Sequence, residues 1–265
     1  MSEVSLLEVA GLGKRFPSRD GRSDARWVIQ NLSFSVRDGE FVTVIGPSGS
    51  GKSTLLNMIA QTDAPSAGTI SFKGAPVSNG DGAGLRPGLD CQIGYVFQDD
   101  TLLPWRTTID NVLFPLEAQG RLDAHGRERA AALMDAVGLT GFERYYPHEL
   151  SGGMRKRAAL IRTLVYDPPI ILMDEPFGAL DAQTRVQLQE DLLRLWEAGR
   201  KTIIFITHDI AEAIALGDRA LVLSRAPTHI IGEHHIDIPR PRNLRDIYAA
   251  PQFASLYEAI RAQVQ

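Results

Sequence analysis

The sequence predicts an α/β protein with a largely parallel core sheet, and three observations carry that prediction. Apolar, strand-like runs alternate with amphipathic, helix-like segments over most of the 265 residues. A glycine-rich stretch, "GPSGSGKST" at 46–54, follows an apolar run ending at Ile45 and opens a helix near Lys52. Far downstream a second apolar run, "IILMDE" at 170–175, ends in two carboxylates.

In chain order, the first quarter reads as short strands: "LLEVAGLGKRF", "WVIQNLSFSV" and "EFVTVIG", whose apolar run Phe41 to Ile45 looks like a buried central strand. "GTISFKG" and "QIGYVFQ" continue the pattern, with "SNGDGAG" at 78–84 as a surface loop between them. From about 99 to 165 the texture turns helical, and "TTIDNVLFPLEAQG" and "RERAAALMDAVGLT" carry apolar residues three and four apart, the second closing on Gly138. This block interrupts the strands as an inserted helical subdomain. Strands return as "PPIILMDE", "TIIFITHD" and "RALVLS", separated by a helix over about 181–198 whose Leu188, Leu192 and Leu195 share a face. After the break Pro239–Arg240–Pro241, "PQFASLYEAIRAQVQ" reads as a terminal helix. The expected divisions are a first core part at 1–97, the helical subdomain at 98–165, a second core part at 166–240 and a tail at 241–265.

Composition narrows the partners. The chain is 44% hydrophobic and 23% charged, as an ordinary globular protein is. A formal net charge of −4 gives no electrostatic reason to approach nucleic acid or an anionic bilayer. No apolar run reaches the ~18 residues of a membrane span, and the N-terminus lacks the basic-then-apolar order of a signal peptide. The single cysteine, Cys91, sits in an apolar strand pattern and reads as a packed thiol in a protein of the cytoplasm.

The glycine-rich stretch carries the chemistry. Gly46, Gly51, Lys52 and Ser53 fit G-x-x-x-x-G-K-[ST], with Pro47, Ser48, Gly49, Ser50 and Thr54 completing the loop. Glycines let the loop wrap so that successive N–H groups converge on a phosphate, and the helix N-terminus adds partial positive charge. Lys52 is expected to reach the β- and γ-phosphates and the Ser53 hydroxyl to hold Mg²⁺. Asp174, at the end of "IILMD", is expected to hold the same ion through water, and Glu175 to polarise the attacking water as general base. On its own, an Asp-Glu pair after a strand is more often a helix cap or a solvated turn, and it becomes a site only when joined to the phosphate loop.

A second glycine pair, "LSGGM" at 150–154, opens another helix. Together with "GPSGSGKST", "ILMDEP", "GALD" at 178–181 and "THD" at 207–209, in that order, it resembles the ATP-binding subunit of an ABC transporter over nearly the whole chain. The resemblance implies a cassette with an antiparallel β-subdomain, a mostly parallel core and an inserted helical subdomain. It also implies a head-to-tail homodimer, in which Ser151, Gly152, Gly153 and Met154 face the ATP held by the other copy's phosphate loop. Each lone chain then holds two half-sites and no complete one.

The resemblance assigns further roles. Gln98 matches a glutamine that touches Mg²⁺ and the water, His208 a switch histidine that contacts the γ-phosphate, and Asp181 a residue reaching the partner's phosphate loop. Phe16 stands where relatives place an adenine-stacking tyrosine, Trp27 is a rival for that role, and Val28 lines the same pocket. The basic run Arg155, Lys156, Arg157 reads by default as a solvated helix face, with help in placing an anion as the alternative. His234 and His235, adjacent on a strand, point to opposite faces and cannot share a metal. The apolar stretch Leu102, Leu103, Pro104, Trp105 either docks a helix of a membrane permease or packs Trp105 inside the helical subdomain. Its wording, "LLPW" followed by "DNV", is similar to the nitrate, sulfonate and taurine importers. The implied protein is a peripheral ATPase at the cytoplasmic face of the inner membrane, working with permease subunits and, indirectly, an external solute-binding protein. An exporter cassette or a non-transport ATPase on the same cassette are the alternatives.

Overall fold

The computed structural model describes residues 5–17, 26–79, 92–178 and 180–264. Cys91 and the loop residues 80–84 lie outside the described residues, whereas Ser78 and Asn79 belong to a strand and not to the expected loop. The chain divides into two compact units, Met1–Pro87 with Thr202–Gln265, and Gly88–Lys201.

The first unit holds an antiparallel sheet in the order β2-β1-β4-β5, from β1 (Ser5–Phe16), β2 (Arg26–Arg37), β4 (Ala67–Phe72) and β5 (Ala75–Asn79). Its other strands are β3 (Phe41–Ile45), β8 (Thr202–Thr207), β9 (Arg219–Leu223) and β10 (Ile230–His235). β3 lies between β8 and β9 and is parallel to both, and β10 pairs antiparallel with β9. Every residue of β3, β8 and β9 is buried, as their continuous Val/Ile/Phe/Leu runs require of strands covered on both faces. The two aromatics at the start of this core, Phe41 and Phe205, meet with ring centroids 6.0 Å apart.

Two buried arginines of this unit are matched to acceptors. Arg219 is buried and donates to both Glu40 oxygens, at 2.8 and 3.0 Å, and to Glu233 at 2.9 Å. Helix α6 (Ile210–Leu216) ends against Arg242, which donates to the carbonyls of Ile214, Ala215 and Gly217. These are the groups a helix C-terminus leaves unpaired. The tail therefore anchors α6 before closing with α7 (Phe253–Val264). His234 bonds Gln263 of α7 at 2.9 Å while His235 is exposed, so the two rings do face apart; no group of three or more metal-binding side chains occurs among the described residues.

The second unit contains the parallel pair β6 (Ile93–Val96) and β7 (Ile170–Asp174), in register from Ile93↔Ile170 to Val96↔Met173. Four helices accompany it: α2 (Thr108–Ala118), α3 (Ala124–Ala136), α4 (Gly152–Leu164) and α5 (Ala182–Gly199). All four start on a side-chain cap, Thr107, Asp123, Ser151 and Asp181 in turn, each accepting from a first-turn N–H. The helical core joins Val112, Leu116, Met134, Leu139, Ala158 and Ile161. Leu102 belongs to this core and Leu103 is half-buried, so neither is part of an exposed cluster; Pro104 and Trp105, the latter 71% exposed, stand out of that stretch into solvent. Among the described residues no helix is long and apolar enough to cross a membrane.

Candidate functional site

The phosphate loop lies between β3 and α1 (Lys52–Ile59) in the first unit. Gly49 and Gly51 both take positive φ, 77° and 81°. A side chain at Gly51 would in addition place its Cβ 2.8 Å from Val28, so glycine is required there twice over. The α1 N-cap is this same Gly51, with no side-chain cap. A helix start offers its first-turn N–H groups no carbonyl within the helix, and here the glycine-rich loop leads up to them. Lys52 is buried, its ammonium donating to the carbonyls of Gly46 at 2.9 Å and Pro47 at 3.0 Å. Ser48, Gly49 and Ser53 are exposed, Pro47, Gly51 and Thr54 half-buried, and the buried Ser50 hydroxyl has no hydrogen-bond partner. A loop with left-handed glycines, a lysine folded against it and a buried hydroxyl without a partner fits a bound phosphate chain.

Thr228 holds this loop in place, a role that no sequence motif signals. Its buried hydroxyl donates to the Ser50 carbonyl. Its own backbone bridges β2, donating to Val28 O at 2.8 Å and accepting from Gln30 N at 3.0 Å.

The strand register separates the two adenine candidates. Arg15 pairs with Trp27 and Phe16 with Arg26, so Phe16 and Trp27 lie on opposite faces of the β1–β2 pair. Trp27 is on the face of Gly13, where an added Cβ would come 2.8 Å from its ring. Phe16 shares its face with Lys14, whose ammonium lies 5.1 Å from the ring centroid and bonds Asp63 at 2.5 Å just after α1. Val28, next to Trp27 but turned the other way, abuts Gly51.

His208 follows the buried β8 and precedes Asp209, the α6 cap, which accepts from Ala211 N at 2.8 Å and Glu212 N at 3.2 Å. Its side chain is exposed on a backbone fixed from both directions.

In the second unit, Asp174 and Glu175 sit at the end of β7, both half-buried. Glu175 has φ 44°, a left-handed conformation that a non-glycine residue adopts at a cost of about 1–3 kcal/mol and that recurs at functional sites. The Tyr95 hydroxyl on β6 is hydrogen-bonded to the Asp174 carboxylate, and burial together with that carboxylate raises its pKa well above the phenol range. Tyr95 thus remains a donor, holding a carboxylate expected to face a metal.

The signature residues open α4. Ser151 caps it, accepting from Met154 N at 3.3 Å, while Gly152 is exposed and Gly153 half-buried. Asp181 caps α5, its carboxylate bonded to Thr184 N at 3.0 Å, which lowers its pKa. Gln98 follows β6 with an exposed side chain. The basic run after the signature is not a solvated face. Arg157 pairs with the buried Asp191 at 3.0 Å, Arg155 with Asp100 at 2.9 Å, and Lys156 donates to the Gln98 carbonyl. Charge runs are read as solvated by default because partners distant in sequence are invisible in composition.

Comparison with known proteins gives the family and the fold. The ABC transporter family model matches residues 29–178. An uncharacterised ABC transporter ATP-binding protein of Methanocaldococcus jannaschii is 45% identical over 91% of this chain and 86% of its own. The taurine import ATP-binding protein TauB of Rhizobium johnstonii is 42% identical over 97% of this chain and 95% of its own. Among solved structures, an ATP-binding cassette described as a dimer in a post-hydrolysis state with ADP and Pi superposes with a TM-score of 0.74 at 31% identity, covering 88% of this chain and all of that one.

Proposed function

The chain belongs to the ABC transporter family as an ATP-binding subunit that hydrolyses ATP, and from that premise we propose that two copies close head to tail on two ATP molecules to drive solute import. The observation that carries the reading is the conformation of the phosphate loop, with left-handed Gly49 and Gly51 and an uncapped helix start, in a chain that bears a second glycine-led helix at Ser151. The dimeric state described for the similar cassette supports the pairing.

In this reading the loop N–H groups and Lys52 bind the β- and γ-phosphates, and Phe16 stacks on adenine beside Val28. Ser151, Gly152 and Gly153 of the partner copy, with Met154 behind them, close on the γ-phosphate. Ser53 and Asp174, joined by Gln98, would hold Mg²⁺, which when bound neutralises charge across the β- and γ-phosphates. Glu175 accepts a proton from the attacking water, and His208 orients the γ-phosphate against it. Asp181 reaches across toward the partner's phosphate loop. The exposed Trp105 docks a cytoplasmic helix of the permease, which makes the protein peripheral to the membrane. The imported solute is a small sulfonate or related anion of the taurine class, as the several TauB relatives suggest.

Glu175→Gln tests the reading, because it removes the base and leaves the phosphate contacts. With MgATP the variant is expected to elute as a dimer and to turn over at least about a hundredfold slower than wild type. Elution as monomer, alongside retained ATP binding, would refute the shared site.

A further inference from the structure

Three residues that follow β6, Gln98, Asp100 and Thr101, are gripped by side chains of α4. Lys156 donates to the Gln98 carbonyl. Arg155 donates through Nε to Asp100 at 2.9 Å, and with its other arm to the Leu150 carbonyl at 2.7 Å, directly before the signature serine. Arg162 donates to the Asp100 carbonyl at 3.1 Å, the Thr101 carbonyl at 2.7 Å and the Thr101 hydroxyl at 2.6 Å. Thr101 has φ 47°, an outlier for a β-branched residue, and it sits where Arg162 closes around it. Further along the same helix Thr163 donates to the Tyr95 carbonyl at 3.3 Å.

Cations that merely solubilise a helix face spread outward into water. These converge on one short segment, and several of their bonds go to backbone carbonyls, so they fix the path of the chain and not only a charge. Hydrogen bonds from charged donors are the stronger kind. Arg155 is the bridge, since one guanidinium ties the turn before Ser151 to the residue two beyond Gln98.

We propose that Arg155, Lys156 and Arg162 are positioning residues that seat the glutamine segment on the signature helix, so that Gln98 in one half-site follows the state of Ser151 to Gly153 in the other. Each copy then links the nucleotide it holds to the nucleotide it covers. The inference rests on the roles given above to Gln98 and the signature residues. It adds the specific contacts that join them.

A double-mutant cycle on the full chain tests it, with Arg155→Met, Asp100→Asn and the combination, and with Lys156→Met at a half-exposed position where folding is not at stake. Steady-state ATPase gives kcat and KM, and ATP affinity is measured with and without Mg²⁺. Each single variant is expected to lose about tenfold in kcat, the scale of one charged hydrogen bond. KM and Mg²⁺-free affinity are expected to stay within about twofold, the Mg²⁺-dependent gain in ATP affinity to shrink, and the double variant to be no slower than the slower single. Multiplying losses in the double variant, a wild-type kcat for Lys156→Met, or an equal loss of Mg²⁺-free ATP affinity would overturn the proposal. A wild-type chain without Mg²⁺-dependent ATP turnover would instead remove the functional reading itself, and this inference with it.

Discussion

Phe16 lies on one face of the β1–β2 pair with Lys14, and Trp27 on the other with Gly13 and Arg15. Stacking a base on an aromatic ring contributes about 1–3 kcal/mol. Phe16→Ala is therefore expected to weaken ATP binding about tenfold and Trp27→Ala to leave it within about twofold, as titration with a fluorescent nucleotide would read. The reverse ranking would put adenine on the wrong face of the strand pair. Sequence leaves the two residues equal because the register shifts between Lys14 and Arg15, and a bulge re-aims side chains without changing their spacing. The phosphate-loop residues are legible for the opposite reason: their chemistry needs glycines and a lysine at fixed offsets within one turn. Tyr95 and Thr228 act through single hydroxyls on partners far away in the chain, and composition gives no hint of either.

Among elements, α4 and α5 meet at a glycine. A Cβ on Gly153 would lie 2.8 Å from Thr184 Cγ2 in the first turn of α5, the turn that Asp181 caps, whereas one on Gly152 meets nothing nearer than Arg155 at 3.9 Å. Gly153→Ala is thus expected to destabilise the fold by about 1–3 kcal/mol, the range for forced overpacking. Gly152→Ala should be neutral or slightly stabilising, since alanine is the better helix former. Urea unfolding of the two variants separates them, and equal midpoints would remove the packing role. The strongly patterned elements are readable, β3, β7 and β8 as continuous apolar runs and α2 and α5 from helical spacing. β5, with Pro76 inside it, and α6, seven residues long, are not: each is held by its neighbours more than by its own pattern. For α6 the holding groups are Asp209 at its start and Arg242 at its end.

At the scale of the molecule, the phosphate loop belongs to one compact unit and the signature helix to the other. Shared sites make a prediction that independent ones do not. Take one variant crippled at Lys52 and a second crippled at Gly153, for instance Lys52→Ala and Gly153→Asp, each nearly inactive alone. In a mixed head-to-tail pair, one site combines both defects, while the other combines the sound loop of the second chain with the sound signature of the first. Equal mixing makes about half of the pairs mixed, each with one intact site, so activity should recover to about a quarter of wild type if sites turn over independently. If both sites must close together for turnover, recovery is smaller but still above either variant alone. A double variant bearing both changes in one chain, mixed with either single, forms no pair with an intact site and serves as the control. Complementation that fails, with mixed pairs demonstrated by differently tagged chains, would mean that each copy completes its own site; the link from Ser151 through Arg155 to Gln98 would then have no second nucleotide to report.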